Sequence, residues 1–166
     1  AAIDFFDPAK EAFLEYDVAK LIHQLANPKK PVVAWLSGLP MSGGFDPMSG
    51  QASEPWAVLS QAEQLFDVRP LEKSATSIGA DVDLLVIVHP KALPSSLLLA
   101  IDQFALRGGR ILLFIDPLAE ADSSGADPAN PLAQVGADRA SDLGPLLTAW
   151  GIDFDRMETE GQLRVH

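Results

Sequence analysis

Three short runs of consecutive apolar residues constrain the fold of this chain more than any other feature. They cover residues 32–36, 84–88 and 111–115, and turn-forming or charged residues flank each of them. Such runs are too short for buried helices, and their lack of polar alternation is typical of strands that are covered on both faces. The runs therefore predict the central strands of a parallel sheet.

Segments with helical spacing separate these runs. The first begins at Asp7 and Pro8, a typical N-cap and first helical position, and it stops before Pro28. The third begins at Ser95 or Ser96, and Gly108 follows its end. The apolar positions of the four predicted helices are Leu14, Val18, Leu21, Ile22 and Leu25; Trp56, Leu59, Ala62 and Phe66; Leu97, Ile101, Phe104 and Ala105; and Leu143, Leu146, Leu147 and Trp150.

Strands that alternate with helices predict an α/β fold. We expect a doubly wound, mainly parallel sheet with helices on both faces, because right-handed crossovers place helices over each face of such a sheet. Residues 66–71 and 152–154 predict two further short strands, and a polar, glycine-rich connector follows the first strand and extends to about Pro55. Residues 117–141 lack any period and predict a flexible excursion. One domain accounts for residues 1–166.

Composition excludes several classes of function. The chain carries 23 acidic and 12 basic side chains, a formal net charge of -11, so nucleic acid is not an expected partner. It has no cysteine, which removes thiolate chemistry, and its three histidines lack metal-ligand spacing. We therefore expect no metal and no cofactor. The acidic residues Glu120, Asp122, Asp127 and Asp138 lack the calcium-loop pattern and are interpreted as a solvated charge run.

No apolar run approaches the roughly 20 residues that a membrane-spanning helix needs. We expect a soluble piece of a longer chain, with any signal peptide upstream of Ala1.

The carboxyl ends of the predicted strands define a candidate ligand or partner site, because ligands of such sheets bind beyond those ends. The first strand leads into Ser37, Gly38, Leu39, Pro40 and Met41, the third into His89 and Lys91, and the fourth into Asp116. We expect these residues to lie along one rim.

Two more specific interpretations of this rim are a phosphate-binding loop and a catalytic triad. The stretch SGLPMSGG lacks both the GxGxxG and the GxxxxGK[ST] pattern, so its glycines favour turns over a phosphate grip. Ser37, His89 and Asp116 supply the residue types of a hydrolase or transferase triad, but GxSxG is missing. No coherent catalytic set emerges and no residue is assigned as catalytic, which leaves the triad as the alternative hypothesis.

A family resemblance adds to these predictions. The pieces LEYD, LSGLPM, VHPK, IDQF, RGGR and FIDP occur in this order within residues 5–150. With them the chain resembles the auxiliary component of uncharacterised ABC-type transport systems, a group linked to bacterial gliding motility. The resemblance also extends to an intraflagellar-transport-type domain and to flavodoxin-like and class I glutamine amidotransferase-like sheets, although the amidotransferase cysteine has no counterpart here.

This resemblance implies a non-enzymatic extracytoplasmic module on the periplasmic face of the inner membrane. Transmembrane helices elsewhere in the full chain would anchor it, and the permease and ATPase subunits of the same system would be its partners. The rim would bind a partner protein or a small ligand. A purely scaffolding role, in which the domain only spaces neighbouring subunits, remains a third hypothesis.

Overall fold

The computed structural model describes residues 13–26, 28–46, 51–122, 138–154 and 163–165. Helices and strands follow one another along the chain. Their bounds are α1 Leu14–Ala26, β1 Val32–Ser37, β2 Gly44–Asp46, β3 Gln51–Ser53, α2 Ala57–Leu65, β4 Asp67–Pro70, β5 Leu84–Val88, α3 Ser95–Leu106, β6 Arg110–Phe114, α4 Pro145–Ala149, β7 Ile152–Phe154 and β8 Leu163–Val165.

The main sheet has four strands in the order β4-β1-β5-β6, and every neighbouring pair is parallel. The predicted parallel α/β fold is therefore confirmed. The chain first moves from β1 outward to β4 and then returns across β1 to β5. This reversal of strand order lies between β1 and β5, which makes their carboxyl ends the topological switch point of the sheet.

The two faces of the sheet carry different layers. On the face we call the α3 face, Ala34, Leu36, Leu85 and Ile87 pack with α3 and α4 in one buried cluster. On the opposite face, the α2 face, Trp35 is in register with Val86 and Pro70, and α2 lies over the β1 and β4 side. Helices thus lie on both faces of the sheet. The prediction that residues 111–115 are covered on both faces is wrong, because Leu112 and Phe114 are exposed on the α2 face of β6.

Buried residues of α3 confirm most of its predicted inward side. Leu97 and Ile101 are fully buried, and Phe104 is 1% exposed, whereas Leu106 at the end of the helix is 73% exposed. Arg107 follows α3 and donates to the carbonyl oxygens of Ile78 and Gly79 at 2.8 and 2.7 Å. The helix therefore fixes both the sheet and the irregular connection between β4 and β5.

Several local features differ from the predictions. The glycine-rich connector contains a short antiparallel hairpin of β2 and β3, which the sequence analysis missed. The predicted last strand exists as β7, but it pairs with β8 in a separate antiparallel ladder. The predicted start of the first helix, Asp7 and Pro8, lies outside the described residues, and α1 buries none of its residues. In the described ranges, no helix combines the length and apolar character that a bilayer span requires.

Candidate functional site

The three predicted exits meet at one rim. The backbone N–H of Gly38 donates to the carbonyl oxygen of Val88 at 2.9 Å, and the N–H of His89 donates to the carbonyl oxygen of Phe114 at 3.0 Å. These bonds tie the segment after β1 to β5, and the segment after β5 to β6. The expectation that the strand ends converge is therefore confirmed.

Gly38 lies too close to the next exit for any side chain. A β-carbon at this position would overlap the carbonyl oxygen of His89, which is backbone and does not swing away. The residue after Ser37 is a glycine because of this close approach between neighbouring chain segments.

The eight predicted site residues differ in accessibility. Pro40 and Asp116 are exposed; Ser37, Gly38, Leu39 and Lys91 are partly exposed; and Met41 and His89 are buried. The side chains of Met41 and His89 therefore face the protein interior, and a ligand at this rim would meet the other six first.

Ser37 forms a local turn. Its hydroxyl donates to the carbonyl oxygen of Leu39 at 3.0 Å, and it accepts from the N–H of the same residue at 3.0 Å. The hydroxyl thereby shapes the start of the connector after β1.

His89 is only 2% exposed, and both of its ring nitrogens have partners. Nε2 lies 3.2 Å from Oδ2 of Asp122, and Nδ1 lies 2.9 Å from Oγ of Ser141. A carboxylate accepts, so Nε2 donates to Asp122, and Nδ1 forms the second hydrogen bond of the ring with the Ser141 hydroxyl. The Ser141 hydroxyl in turn accepts from the N–H of Asp116 at 2.9 Å. Ser141 thereby links the predicted site residues His89 and Asp116.

Lys91 joins the same network from the surface. Its ammonium lies 2.5 Å from Oδ2 of Asp122, whose side chain is 3% exposed, while the Lys91 side chain is 25% exposed. It also donates to the carbonyl oxygen of Asp138. The interpretation of Asp122 as a solvated acid is wrong, because this carboxylate is buried against a lysine and a histidine. We refer to His89, Lys91, Asp122 and Ser141 as the rim cluster.

The rim cluster holds both ends of the predicted excursion against the sheet. Asp122 lies at one end, and Ser141 at the other donates its N–H to the carbonyl oxygen of Asp116 at 2.8 Å. Residues 123–137, which make up most of the segment, lie outside the described residues.

The backbone near His89 is strained. His89 has φ of 47° and Ala92 has φ of 49°, and both are non-glycine residues in the left-handed region. Such conformations cost about 1 kcal/mol or more each, and they persist where the surrounding contacts enforce them. Here the hydrogen bonds of the His89 ring and backbone supply those contacts.

The rim does not assemble the predicted Ser37–His89–Asp116 triad in this conformation. Ser37 bonds within its own turn, and His89 bonds to Asp122 and Ser141. Ser141, His89 and Asp122 do supply a serine, a histidine and a carboxylate in mutual contact. However, Ser141 is completely buried, so its hydroxyl is not presented to a substrate. In the described ranges, no three His, Asp or Glu side chains form a metal-binding group.

A groove of about 550 Å³ opens beside the β1 exit, between the ends of β1 and β4 and the helix α2. Two predicted residues, Ser37 and Leu39, line it. Its apolar lining includes Trp35, Leu36, Leu39, Leu59, Val68 and Leu71. Its polar lining consists of Ser37, Ser42, Glu63, Glu72 and Lys73.

One polar group of a groove-lining residue lacks an acceptor among the described residues. The indole N–H of Trp35 is buried and has no hydrogen-bond acceptor among the described residues. A buried donor without an acceptor costs about 1–3 kcal/mol, so native structures rarely keep one. Trp35 therefore marks a position where an acceptor would be favourable.

Sequence reasoning missed Trp35, Asp122 and Ser141. The apolar neighbours of Trp35 predict a strand, and no sequence pattern indicates that its N–H lacks an acceptor among the described residues. Asp122 and Ser141 lie in a segment without periodicity, far from His89 along the chain. The only available signal was the polar character of His89 itself, because a buried histidine requires partners for its ring nitrogens.

The fold and the rim define a parallel α/β domain with a groove beside the ends of β1 and β4. A family model described as ABC-type uncharacterized transport system matches residues 30–162, and the chain belongs to this family. It is accordingly an auxiliary component of an ABC-type transport system. No curated protein and no solved structure matches the chain.

Proposed function

We propose that this domain is an extracytoplasmic, non-enzymatic module of its transport system and that the groove beside Trp35 binds a small polar ligand. Family membership supports the link to transport. The observation that carries the binding role is a groove of about 550 Å³ whose lining combines leucines with two glutamates. That volume lies within the range of small-molecule sites. The indole N–H of Trp35, a lining residue, is shielded from solvent and lacks an acceptor among the described residues, so a ligand acceptor reaches it only after a local shift of the lining.

The chemistry of the groove limits the class of ligand. Trp35 needs an acceptor, whereas the carboxylates of Glu63 and Glu72 prefer donors. Neither carboxylate makes a hydrogen bond or ion pair within the described residues. A ligand with groups that both donate and accept satisfies both requirements, and its apolar surface packs on the leucines.

Anionic ligands fit this groove less well. The two glutamates outnumber the single lysine, Lys73, whose ammonium lies 3.3 Å from the carbonyl oxygen of Lys91. The whole chain also carries a formal net charge of -11, which lowers the local concentration of anions. We therefore expect neutral or weakly cationic ligands to bind in preference to nucleotides.

The binding role is tested by titrating the protein with neutral polyols and sugars, small amines, short peptides and nucleotides, with isothermal calorimetry as the readout. For the best binder, Trp35→Phe removes the N–H and keeps an aromatic ring, so we expect an affinity loss of about five- to ten-fold, typical of one hydrogen bond. Trp56→Phe is the matched control, because Trp56 is 38% exposed and does not line the groove.

Two outcomes would reject the groove as a binding site. One is the absence of any binder across the panel, and the other is an equal loss for Trp35→Phe and Trp56→Phe. If binding fails but the protein still isolates with its transporter subunits, the scaffolding hypothesis is favoured instead.

The location and partners are proposed from the family resemblance. We propose that the domain lies outside the cytoplasmic membrane, beside the permease and ATPase subunits of the same system. A topology reporter fused to the full-length protein, combined with isolation from native membranes, tests both points. A cytoplasmic reporter signal would contradict the location, and isolation without transporter subunits would contradict the partners.

A further inference from the structure

We infer that two copies of this chain pair through the outer edge of β6, as antiparallel neighbours that join their sheets into one of eight strands. The inference rests on the backbone of β6 and on the charges at its two ends. It is independent of the proposed ligand groove, which lies near β1 and β4, toward the opposite edge of the sheet.

The outer edge of β6 is open within the described part of the chain. β6 is a terminal strand whose one partner there is β5. The carbonyl oxygen of Phe114 accepts from the N–H of His89, which follows β5. Backbone groups alternate in direction along a strand, so the even-numbered residues of β6 direct their N–H and C=O groups toward β5. Ile111 and Leu113 therefore direct their N–H and C=O groups outward.

The opposite edge strand, β4, is protected against pairing with another strand, whereas β6 is not. β4 contains Pro70, which has no N–H, and Arg69, which forms ion pairs with Asp67 and Asp81. Prolines and charges are the usual means by which edge strands avoid pairing. β6 has the sequence RILLF, with no proline and one charged residue at its start.

The sequence of β6 is self-complementary in one antiparallel register, centred on Leu112. In this register Ile111 lies opposite the partner's Leu113. Both have outward backbone groups, so the pair exchanges two hydrogen bonds, and symmetry repeats them. Leu112 then lies opposite the partner's Leu112 in the closer, non-hydrogen-bonded type of pair.

The side chains of this register also complement one another. Leu112 is 45% exposed and Phe114 is 51% exposed, so both retain apolar surface for a partner. Arg110 lies opposite the partner's Phe114, where its guanidinium meets an aromatic ring. The partner's Asp116 lies one diagonal step further, at about 7–8 Å, within reach of a long side chain.

Charge complementarity favours a second copy over other occupants. Arg110 is exposed and makes no hydrogen bond or ion pair with a described residue. Asp116 is exposed at the other end of the same edge, and its carboxylate accepts only the N–H of Leu118 among the described groups. Antiparallel pairing of two identical edges brings these opposite charges together twice.

Sedimentation equilibrium on the 166-residue chain, at concentrations up to about 0.1 mM, tests this inference. We expect a monomer–dimer equilibrium. Arg110→Asp and Asp116→Arg each place like charges together at both ends, and each should raise the dissociation constant about ten-fold. An equimolar mixture of the two variants restores opposite charges at both ends, so the heterodimer should form with near-normal affinity.

Leu112→Glu is a second variant at an exposed position, and it places two carboxylates face to face at the centre. Circular dichroism verifies that every variant is folded. Hydrogen exchange at Ile111 and Leu113 should slow as the protein concentration rises. Three results would each overturn the inference. They are a monomeric wild type, a dimer that all three variants leave intact, and protection of the Ile111 and Leu113 amides that does not depend on concentration. Concentration-independent protection would show that another strand covers the edge.

Discussion

Gly38 and His89 approach so closely at the rim that residue 38 has no room for a β-carbon. Gly38 belongs to the exit of β1, and His89 to the exit of β5. At the switch point these two segments therefore pack backbone against backbone. The buried ring of His89 forms hydrogen bonds with Asp122 and Ser141. The geometry of the whole rim therefore depends on the absence of one side chain.

Gly38→Ala should destabilise the domain by about 2 kcal/mol or more, because the added methyl group overlaps backbone that can only move together with β5. Chemical denaturation followed by circular dichroism measures this loss.

Gly108→Ala is the control for that variant. Gly108 has φ of 87° and nothing near its missing β-carbon, so alanine there meets conformational strain alone, about 1 kcal/mol. Equal losses for the two variants would contradict the steric explanation.

The rim cluster predicts a large effect from one lysine. Lys91→Met removes the ammonium that lies 2.5 Å from the buried Asp122 carboxylate, and a buried charge that loses its counter-ion costs about 3 kcal/mol. Lys73→Met is the matched control, because Lys73 is exposed and its ammonium contacts a backbone carbonyl at 3.3 Å. We expect that variant to change the free energy of unfolding by less than about 0.5 kcal/mol.

Asp122→Asn combined with Lys91→Met completes a thermodynamic cycle. The double variant removes both charges, so it should be more stable than the sum of the two single losses indicates. Additive losses would show that Lys91 and Asp122 do not interact energetically.

The strands and their direction could be predicted from the sequence because burial on both faces leaves a local signature. The runs at β1 and β5 contain almost no polar residue, and parallel sheets under helices bury strands on both faces in this way, whereas the equally apolar β6 leaves Leu112 and Phe114 exposed. The convergence of Ser37, His89 and Asp116 followed from the same rule. These features depend on neighbours in sequence, which a single chain displays directly.

The rim cluster could not be predicted, because it depends on contacts between distant segments. Asp122 and His89 are 33 residues apart, and nothing local distinguishes Asp122 from its exposed neighbour Glu120. The pairing of β7 with β8 has the same origin, since a strand of three residues carries too little pattern to identify its partner. The N–H of Trp35 lacks an acceptor in the described ranges, and this is a property of the packed structure alone.

The surface ion pairs of Arg69 predict a specific pH dependence. The hydrogen bond from Arg69 holds the pKa of Asp81 below its usual value of 3.8. A carboxylate with a lowered folded pKa stabilises the protein above its unfolded pKa, and this contribution disappears as the pH falls through the folded pKa. Asp81→Asn should therefore be less stable than the wild type at pH 6. The difference in the free energy of unfolding should vanish as the pH falls below the folded pKa of Asp81.

Denaturation series from pH 2 to pH 7 measure this difference, and high salt should shrink it because the pair is exposed. A difference between Asp81→Asn and wild type that stays constant over the whole pH range would show that the ion pair is not its cause.

The core beneath the sheet predicts the largest loss of stability from a single side chain of α3. Phe104 is 1% exposed and packs in the same cluster as Leu85 and Ile87, so Phe104→Ala removes a ring from the interior and should cost about 4 kcal/mol. Its ring packs directly against Gly109, which has no side chain that could fill the cavity left by the ring. Leu106→Ala, at a position 73% exposed on the same helix, should cost less than about 1 kcal/mol. Similar losses for the two variants would show that the face of α3 assigned to the core is not the face that packs on the sheet.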